Sequence, residues 1–128
     1  MTEKTGQTTP WIRERDAVAE RMLAGGGRPG VADPALRSGK TGLELLQAML
    51  RGELPFPPIA ETLDFSLISI EAGKAVFQST PQFKHYNPLG SVHGGWYATL
   101  LDSALGCAVQ SMYAHGTTTC LVFEVPTR

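Results

Sequence analysis

A polar loop that ends in two glycines leads directly into a long apolar stretch, and its residues have types and spacing suited to acyl-transfer chemistry. The loop covers residues 87–95, and Asp102 follows Gly94 by eight residues. Backbone N–H groups at the start of a helix have no intrahelical acceptor, so they can bind an anion or a developing oxyanion. A carboxylate on the same helix can act as a general base or as a nucleophile.

Each group in this motif also has a structural interpretation. Gly94 and Gly95 leave the backbone approachable because they lack a Cβ, but a glycine pair also lets a loop turn into a helix. Asp102 has the small residues Ala98 and Gly106 one turn away on either side, which leaves a notch on an apolar helix. A carboxylate that looks buried is either hydrogen-bonded for structural reasons or retained for chemistry.

Two further side chains complete the motif. Asn87 can donate to a carbonyl or orient a water molecule. His93 can act as a general base, although a histidine directly before the glycines more often holds the loop through a hydrogen bond. The three histidines, His85, His93 and His115, lack the spacing of metal ligands, so we expect no zinc site.

The spacing along the helix restricts how these groups act together. Eight residues at about 1.5 Å each separate Gly94 from Asp102 by roughly 12 Å along the axis. This separation is too long for both groups to act on one carbonyl. If both are catalytic, Gly94 of one subunit must face Asp102 of another, at a composite site on a two-fold interface.

The surrounding pattern predicts the elements that position the motif. Thr41 and Glu44 form a capping-box pattern, and the apolar phase shifts between Leu67 and Ile68 as it does at a β-bulge. In chain order we expect a helix over 11–24, a linker over 25–40, a helix from 41 to 50, strands over 63–70 and 75–80, a turn over 71–74, a loop over 81–95, an almost wholly apolar central helix over 96–113, and a strand over 117–125.

Composition limits the class of protein. The chain has 128 residues, 42% of them hydrophobic, and a formal net charge of -1, which indicates a globular domain without the charge of a nucleic-acid-binding protein. Cys107 and Cys120 lie in apolar runs and are interpreted as reduced core residues. The sequence contains neither a signal peptide nor a membrane-spanning run, so we expect a cytoplasmic protein.

The run HYNPLGSVHGGWYATLLDSALGCAVQ resembles the signature of hotdog-fold acyl-CoA thioesterases of the PaaI-like branch. In that branch an Asn, a Gly-x-x-His-Gly-Gly turn and an Asp on the central helix occur together at these spacings. The resemblance covers residues 41–116. It implies an α+β hotdog fold, in which a curved antiparallel sheet wraps a long helix and the chains assemble as homodimers or homotetramers.

The resemblance also implies roles for individual residues. Asn87 would position the thioester or a water molecule, the Gly94 N–H would form the oxyanion hole, and Asp102 of a partner subunit would be the base or nucleophile. Thr118 or Thr119 would support the water. We expect Gly90, Gly95 and Trp96, which lie around the turn into the helix, to contact substrate, and His93 completes the catalytic set. The implied substrates are CoA thioesters of short, medium or aryl acyl groups, with no metal or other cofactor.

The chain departs from this pattern at its end, because only 12 residues follow Gly116, whereas a hotdog domain needs several further strands. We therefore expect an N-terminal extension over 1–40, a helix plus a flexible linker, and a partial, C-terminally truncated hotdog domain over 41–128. One alternative is a non-catalytic subunit that binds acyl-CoA or pairs with full-length relatives. Another is a dehydratase that uses a His and Asp pair, although the order of HGG before Asp favours the thioesterase.

Overall fold

The structure is a computed structural model and describes residues 10–113. Within that range the chain forms five α-helices and one two-stranded antiparallel sheet, which confirms the predicted α+β class. The elements are α1 (Pro10–Ala24), α2 (Pro34–Arg37), α3 (Gly42–Leu50), α4 (Pro58–Leu63), β1 (Phe65–Glu71), β2 (Lys74–Ser79), a 3₁₀ turn (Phe83–His85) and α5 (Gly94–Gln110).

Helix α3 begins at the predicted capping box and carries one side of the core. The Thr41 hydroxyl accepts a hydrogen bond from the Glu44 N–H at 3.2 Å, and the Glu44 carboxylate accepts one from the Thr41 N–H at 2.7 Å. These bonds satisfy two backbone donors that have no partner inside the helix. The apolar face of α3 then places Leu46 against Leu67 and Ile70 of β1.

The hairpin of β1 and β2 contains the predicted bulge. The register shifts between Leu67 and Ser69, so Ile68 and Ile70 continue the buried face that Phe65 and Leu67 began. One inserted residue reverses the side-chain alternation of a strand, and this accounts for two apolar residues in a row. Glu71 pairs with Lys74 at the tight turn, as predicted.

The prediction of a strand from residue 63 is wrong at its first two residues, because the preceding segment folds as helix α4. Pro58 occupies the first helical position, where its fixed φ suits the helix and its missing N–H costs nothing. Asp64 ends the helix in the left-handed conformation, with φ 53°. Leu63 is thus the last residue of a helix, and its backbone carbonyl faces the start of α5.

Helix α5 packs one side on the hairpin, and Cys107 contacts the core cluster of α3 and β1. It runs from Gly94 to Gln110, so it begins two residues before the predicted start at 96 and ends three residues before the predicted end at 113. Within residues 10–113, Trp96 is its one buried residue. Large apolar side chains are exposed along one side of α5, eight and then four residues apart, namely Tyr97, Leu105 and Val109, and Met112 is exposed just after the helix ends.

The N-terminal segment packs closely on the chain that follows α3. A Cβ on Gly25 would lie 1.9 Å from the Arg51 carbonyl oxygen, and one on Gly52 would lie 2.1 Å from the Met22 carbonyl oxygen. Further along, the Gly30 N–H donates to the Phe56 carbonyl. The stretch 25–40, predicted as a flexible linker, thus contains helix α2 and makes backbone contacts. A domain boundary at residue 40 stays a prediction, and the strand predicted over 117–125 lies outside the described residues.

Candidate functional site

The start of α5 is capped by His93. Its backbone has extended dihedral angles, φ -63° and ψ 134°, and its Nδ1 accepts a hydrogen bond from the Gly95 N–H at 2.8 Å. A Cβ at residue 95 would lie 3.0 Å from the same Nδ1, so a glycine there allows this bond without a tight contact. Since Nδ1 is the acceptor, the neutral ring carries its proton on Nε2. His93 therefore holds the loop, the role that the sequence favoured over that of a general base.

The Gly94 N–H is the donor that this cap leaves free. It donates to no atom of residues 10–113, whereas the Gly95 and Trp96 N–H groups are both bonded to His93. A Cβ at Gly94 would meet nothing within 4 Å, so a ligand can approach this backbone. The first turn contains no acidic side chain to compensate the positive end of the helix dipole. One unpaired and accessible donor therefore lies at this helix start.

Asn87 shapes the loop that precedes the helix. Its Oδ1 accepts from the backbone N–H groups of Leu89 at 2.9 Å and Ser91 at 3.2 Å, and its Nδ2 donates to the Ser91 hydroxyl at 2.9 Å. Gly90 takes the left-handed conformation at the tip, with φ 82°. The oxygen of Asn87 is thus occupied within the loop, while its amide retains one further N–H.

Trp96 fixes the first turn of α5 to the end of α4. Its indole N–H donates to the Leu63 carbonyl at 3.0 Å, and the residue is buried, with 6% of its surface exposed. The ring of His85 lies beside it, with centroids 5.9 Å apart. A shallow pocket of about 230 Å³ lies next to this anchor, and its lining residues are Leu63, Lys84, His85, Tyr86, His93, Gly95 and Trp96.

His85 is the buried polar residue at the base of this site, with 6% of its surface exposed. Its Nδ1 accepts from the Gln82 N–H at 2.9 Å, and its Nε2 lies 3.3 Å from the Thr62 carbonyl oxygen. Asp64 Oδ2 lies 3.7 Å from the same Nε2 and forms an ion pair with Lys84 at 3.0 Å. Both ring nitrogens of His85 therefore face backbone groups of two different segments.

Asp102 is exposed, which corrects the expectation of a carboxylate buried in an apolar helix. It forms no hydrogen bond or ion pair with any residue of the range 10–113. The reason is that it lies on the exposed face of α5, between Tyr97 and Leu105, and not on the side that packs on the hairpin. A solvated carboxylate has no desolvation cost to offset, so it needs no structural partner.

The thiol of Cys107 is unsuited to nucleophilic chemistry. Burial and, to a smaller extent, the nearby negative charge of Asp102 together raise its pKa to about 11. The thiolate is the reactive form of cysteine, and little of it exists at neutral pH when the pKa is this high. Cys107 is therefore a core residue, as predicted, whereas Cys120 lies outside the described residues.

The structure brings together four of the predicted site residues at the helix start: His93, Gly94, Gly95 and Trp96. Asn87 and Gly90 belong to the adjoining loop, and Asp102 lies two turns along the helix. Thr118 and Thr119 lie outside residues 10–113. Sequence reasoning missed His85, although its position two residues before Asn87, in a loop with a second histidine, was an available signal.

Two general features of the described residues bear on the site. Within residues 10–113, no group of three or more His, Cys, Asp or Glu side chains could hold a metal ion. In the same range no helix combines the length and the apolar character needed to cross a membrane.

Comparison of the chain with protein-family models, with curated proteins and with solved structures found no match. Two features of the chain itself point to a function: the geometry at the start of α5 and the motif that resembles the hotdog-fold thioesterases.

Proposed function

We propose that this protein hydrolyses acyl-CoA thioesters at a site formed by two copies of the chain in a hotdog arrangement. The observation that carries the proposal is the free Gly94 N–H at the start of α5, which is open to a ligand and unpaired within residues 10–113. The resemblance of the loop-to-helix motif to PaaI-like thioesterases supplies the substrate class.

The Gly94 N–H has the properties of an oxyanion donor. Attack on a thioester carbonyl places negative charge on its oxygen, and a fixed N–H at a helix start stabilises that charge without reorganising. Loss of one such donor typically costs about 3–4 kcal/mol in the transition state. The cap by His93 removes the neighbouring Gly95 N–H from this task, so the oxyanion would receive its helix-start hydrogen bond from Gly94.

Asp102 supplies the second catalytic group of the proposed site. Because its carboxylate is exposed, it is accessible to the active site of a neighbouring subunit. Eight residues of helix separate it from Gly94 by roughly 12 Å along the axis, so the two groups of one chain cannot reach one carbonyl. A second copy related by a two-fold axis would bring its own Asp102 to this Gly94, and would form two equivalent sites. The apolar residues around Asp102 on the exposed face of α5 suit such a contact.

In the proposed reaction, Asp102 acts as a general base or as a nucleophile. As a base it takes a proton from water while the water oxygen attacks the carbonyl carbon; as a nucleophile its carboxylate forms an anhydride that water then hydrolyses. In either route the C–S bond breaks, the CoA thiolate leaves with the electron pair, and the carboxylic acid is released. Asn87 contributes by holding the loop, and its remaining amide N–H is available to the thioester.

A second candidate function is a non-catalytic subunit that binds acyl-CoA or pairs with a related chain. The exposed face of α5 favours it, because Tyr97 is 47% exposed and Leu105 is 42% exposed, and association would cover these side chains whether or not the site is active.

Release of free thiol from a panel of acyl-CoAs separates these functions. Gly94→Pro is a sharp variant, because Gly94 is the first residue of α5, where proline is favoured, and its N–H makes no intramolecular bond to lose. The proposal predicts thioesterase activity in the wild type, a loss of about 10²- to 10³-fold in kcat for Gly94→Pro, and a comparable loss for Asp102→Asn. Wild-type rates in both variants would contradict it, and acyl-CoA binding without turnover would favour the second function.

A further inference from the structure

His85 connects the three segments that meet at the helix start. Its ring nitrogens face the Gln82 N–H, within its own segment, and the Thr62 carbonyl at the end of α4. Its backbone carbonyl accepts the His93 N–H at 2.8 Å, so the residue that caps α5 is bonded directly to His85. The ring also lies beside Trp96, in the first turn of the helix.

These contacts specify one form of the ring. Nδ1 accepts a hydrogen bond from a backbone N–H, and Nε2 faces a carbonyl oxygen that can only accept, so the neutral ring with its proton on Nε2 satisfies both partners. Protonation of Nδ1 would break its hydrogen bond with the Gln82 N–H, because a protonated nitrogen cannot accept. Only the neutral tautomer with its proton on Nε2 therefore makes both hydrogen bonds.

We infer that His85 is a positioning residue for the Gly94 N–H donor: its neutral imidazole holds the segment before α5 against the end of α4 and so fixes the cap residue, His93. The inference rests on the proposed function, since it takes the Gly94 N–H as the group that meets substrate. Both ring nitrogens of His85 face backbone groups, so it acts through the cap and not on the substrate.

The charged and titratable groups near the ring are few. Asp64 Oδ2 lies 3.7 Å from Nε2, Lys84 is paired with that carboxylate, and Tyr86 and His93 lie across the pocket. Of these, His93 is itself bonded to the helix start, because its own Nδ1 accepts from the Gly95 N–H. A test of His85 must therefore replace the imidazole of His93.

The first test is nuclear magnetic resonance of the full chain. Long-range proton–nitrogen spectra of the wild type are expected to show His85 as a single tautomer with its proton on Nε2; a mixture, or the other tautomer, would overturn the inference. In the His93→Asn variant, where Asn keeps a good cap and carries no imidazole, the amide signal of Gly94 should move when the His85 ring is protonated.

The outcomes of this titration are decisive. A Gly94 amide that does not move while the His85 ring titrates would refute the positioning role. A ring that gains its proton only as the folded spectrum disappears would support it, because the fold then requires the neutral ring.

The second test separates positioning from the proposed function. His85→Asn keeps an acceptor near the place of Nδ1 but loses the group that faces Thr62, so kcat should fall about 10- to 100-fold with KM changed by less than about threefold. Wild-type kcat in this variant would overturn the inference. A wild type that lacks thioesterase activity but shows the linked titration would reject the proposed function and leave the link between His85 and Gly94 supported.

Discussion

The two glycines at the start of α5 provide a matched pair for testing the cap. A methyl group at Gly94 enters open space, whereas one at Gly95 lies 3.0 Å from His93 Nδ1 and 3.3 Å from its Cε1. Alanine at either position gains the same kind of helix preference over glycine, so the difference between the two variants isolates the cap. In Gly95→Ala the His93 ring must shift by a few tenths of an ångström, and we expect this shift to weaken its bond to the N–H of residue 95.

The magnitude follows from the value of an N-cap. Loss of a side-chain cap costs about 1 kcal/mol, with a range of about 0.5–2 kcal/mol. We therefore expect Gly95→Ala to be about 1–2 kcal/mol less stable than Gly94→Ala, measured as the free energy of unfolding in urea with equal slopes for the two variants. In a His93→Ala background, the difference between the two glycine positions should disappear, because the cap is already absent. Equal stability of the two single variants would refute the assigned cap.

Three further outcomes test other parts of the structure. With the other cysteine replaced, Cys107 should alkylate at pH 8 about 10²-fold more slowly than an ordinary thiol, since burial and the nearby Asp102 charge raise its pKa to about 11. Rapid alkylation would contradict the burial. Because the folded pKa lies above the unfolded one, the contribution of the thiol to stability is lost as pH rises toward 11. Thr41→Ala should lower the free energy of unfolding by about 1 kcal/mol. Hydrogen bonds from Thr41, first that of its backbone N–H, lower the pKa of Glu44, so the cost of Glu44→Ala should shrink as pH falls through the folded-state pKa, and a pH-independent cost of that variant would argue against the capping box. Gly42→Ala should destabilise by about 2 kcal/mol or more in thermal unfolding, because the new Cβ would lie 1.9 Å from the Gln110 carbonyl oxygen, and an unchanged Tm would mean that α3 and α5 are not in close contact.

The elements with strong local signals were predictable from sequence. The capping box at Thr41 and the bulge between Leu67 and Ser69 are consequences of short-range bonding and of side-chain alternation, and both are confirmed. Helix α4 was not predicted, because Leu63 continues the alternation of the following strand. Its identity as a helix depends on Pro58 at the first helical position and on the left-handed backbone of Asp64, which apolar periodicity does not detect.

The candidate site was predictable in part. The loop-to-helix turn and the loop-holding role of His93 follow from residue types close in sequence, and the structure places them as the sequence suggested. The exposure of Asp102 could not be predicted from the sequence, because tertiary packing decides which side of an almost wholly apolar helix faces the hairpin. His85 was missed for a related reason: its importance arises from contacts with Thr62 and Trp96, which are distant in sequence.

The most direct test of the account is a subunit-mixing experiment. Copies with Gly94→Pro lack the donor and copies with Asp102→Asn lack the carboxylate, so each variant alone should be nearly inactive toward acyl-CoA. After the two are unfolded together and refolded at equal ratio, half of two-fold dimers combine both variants, and each of these has one intact site of two. The account predicts recovery to about one quarter of wild-type thiol release. Activity of the mixture no higher than that of the separate variants would contradict a site shared between two copies.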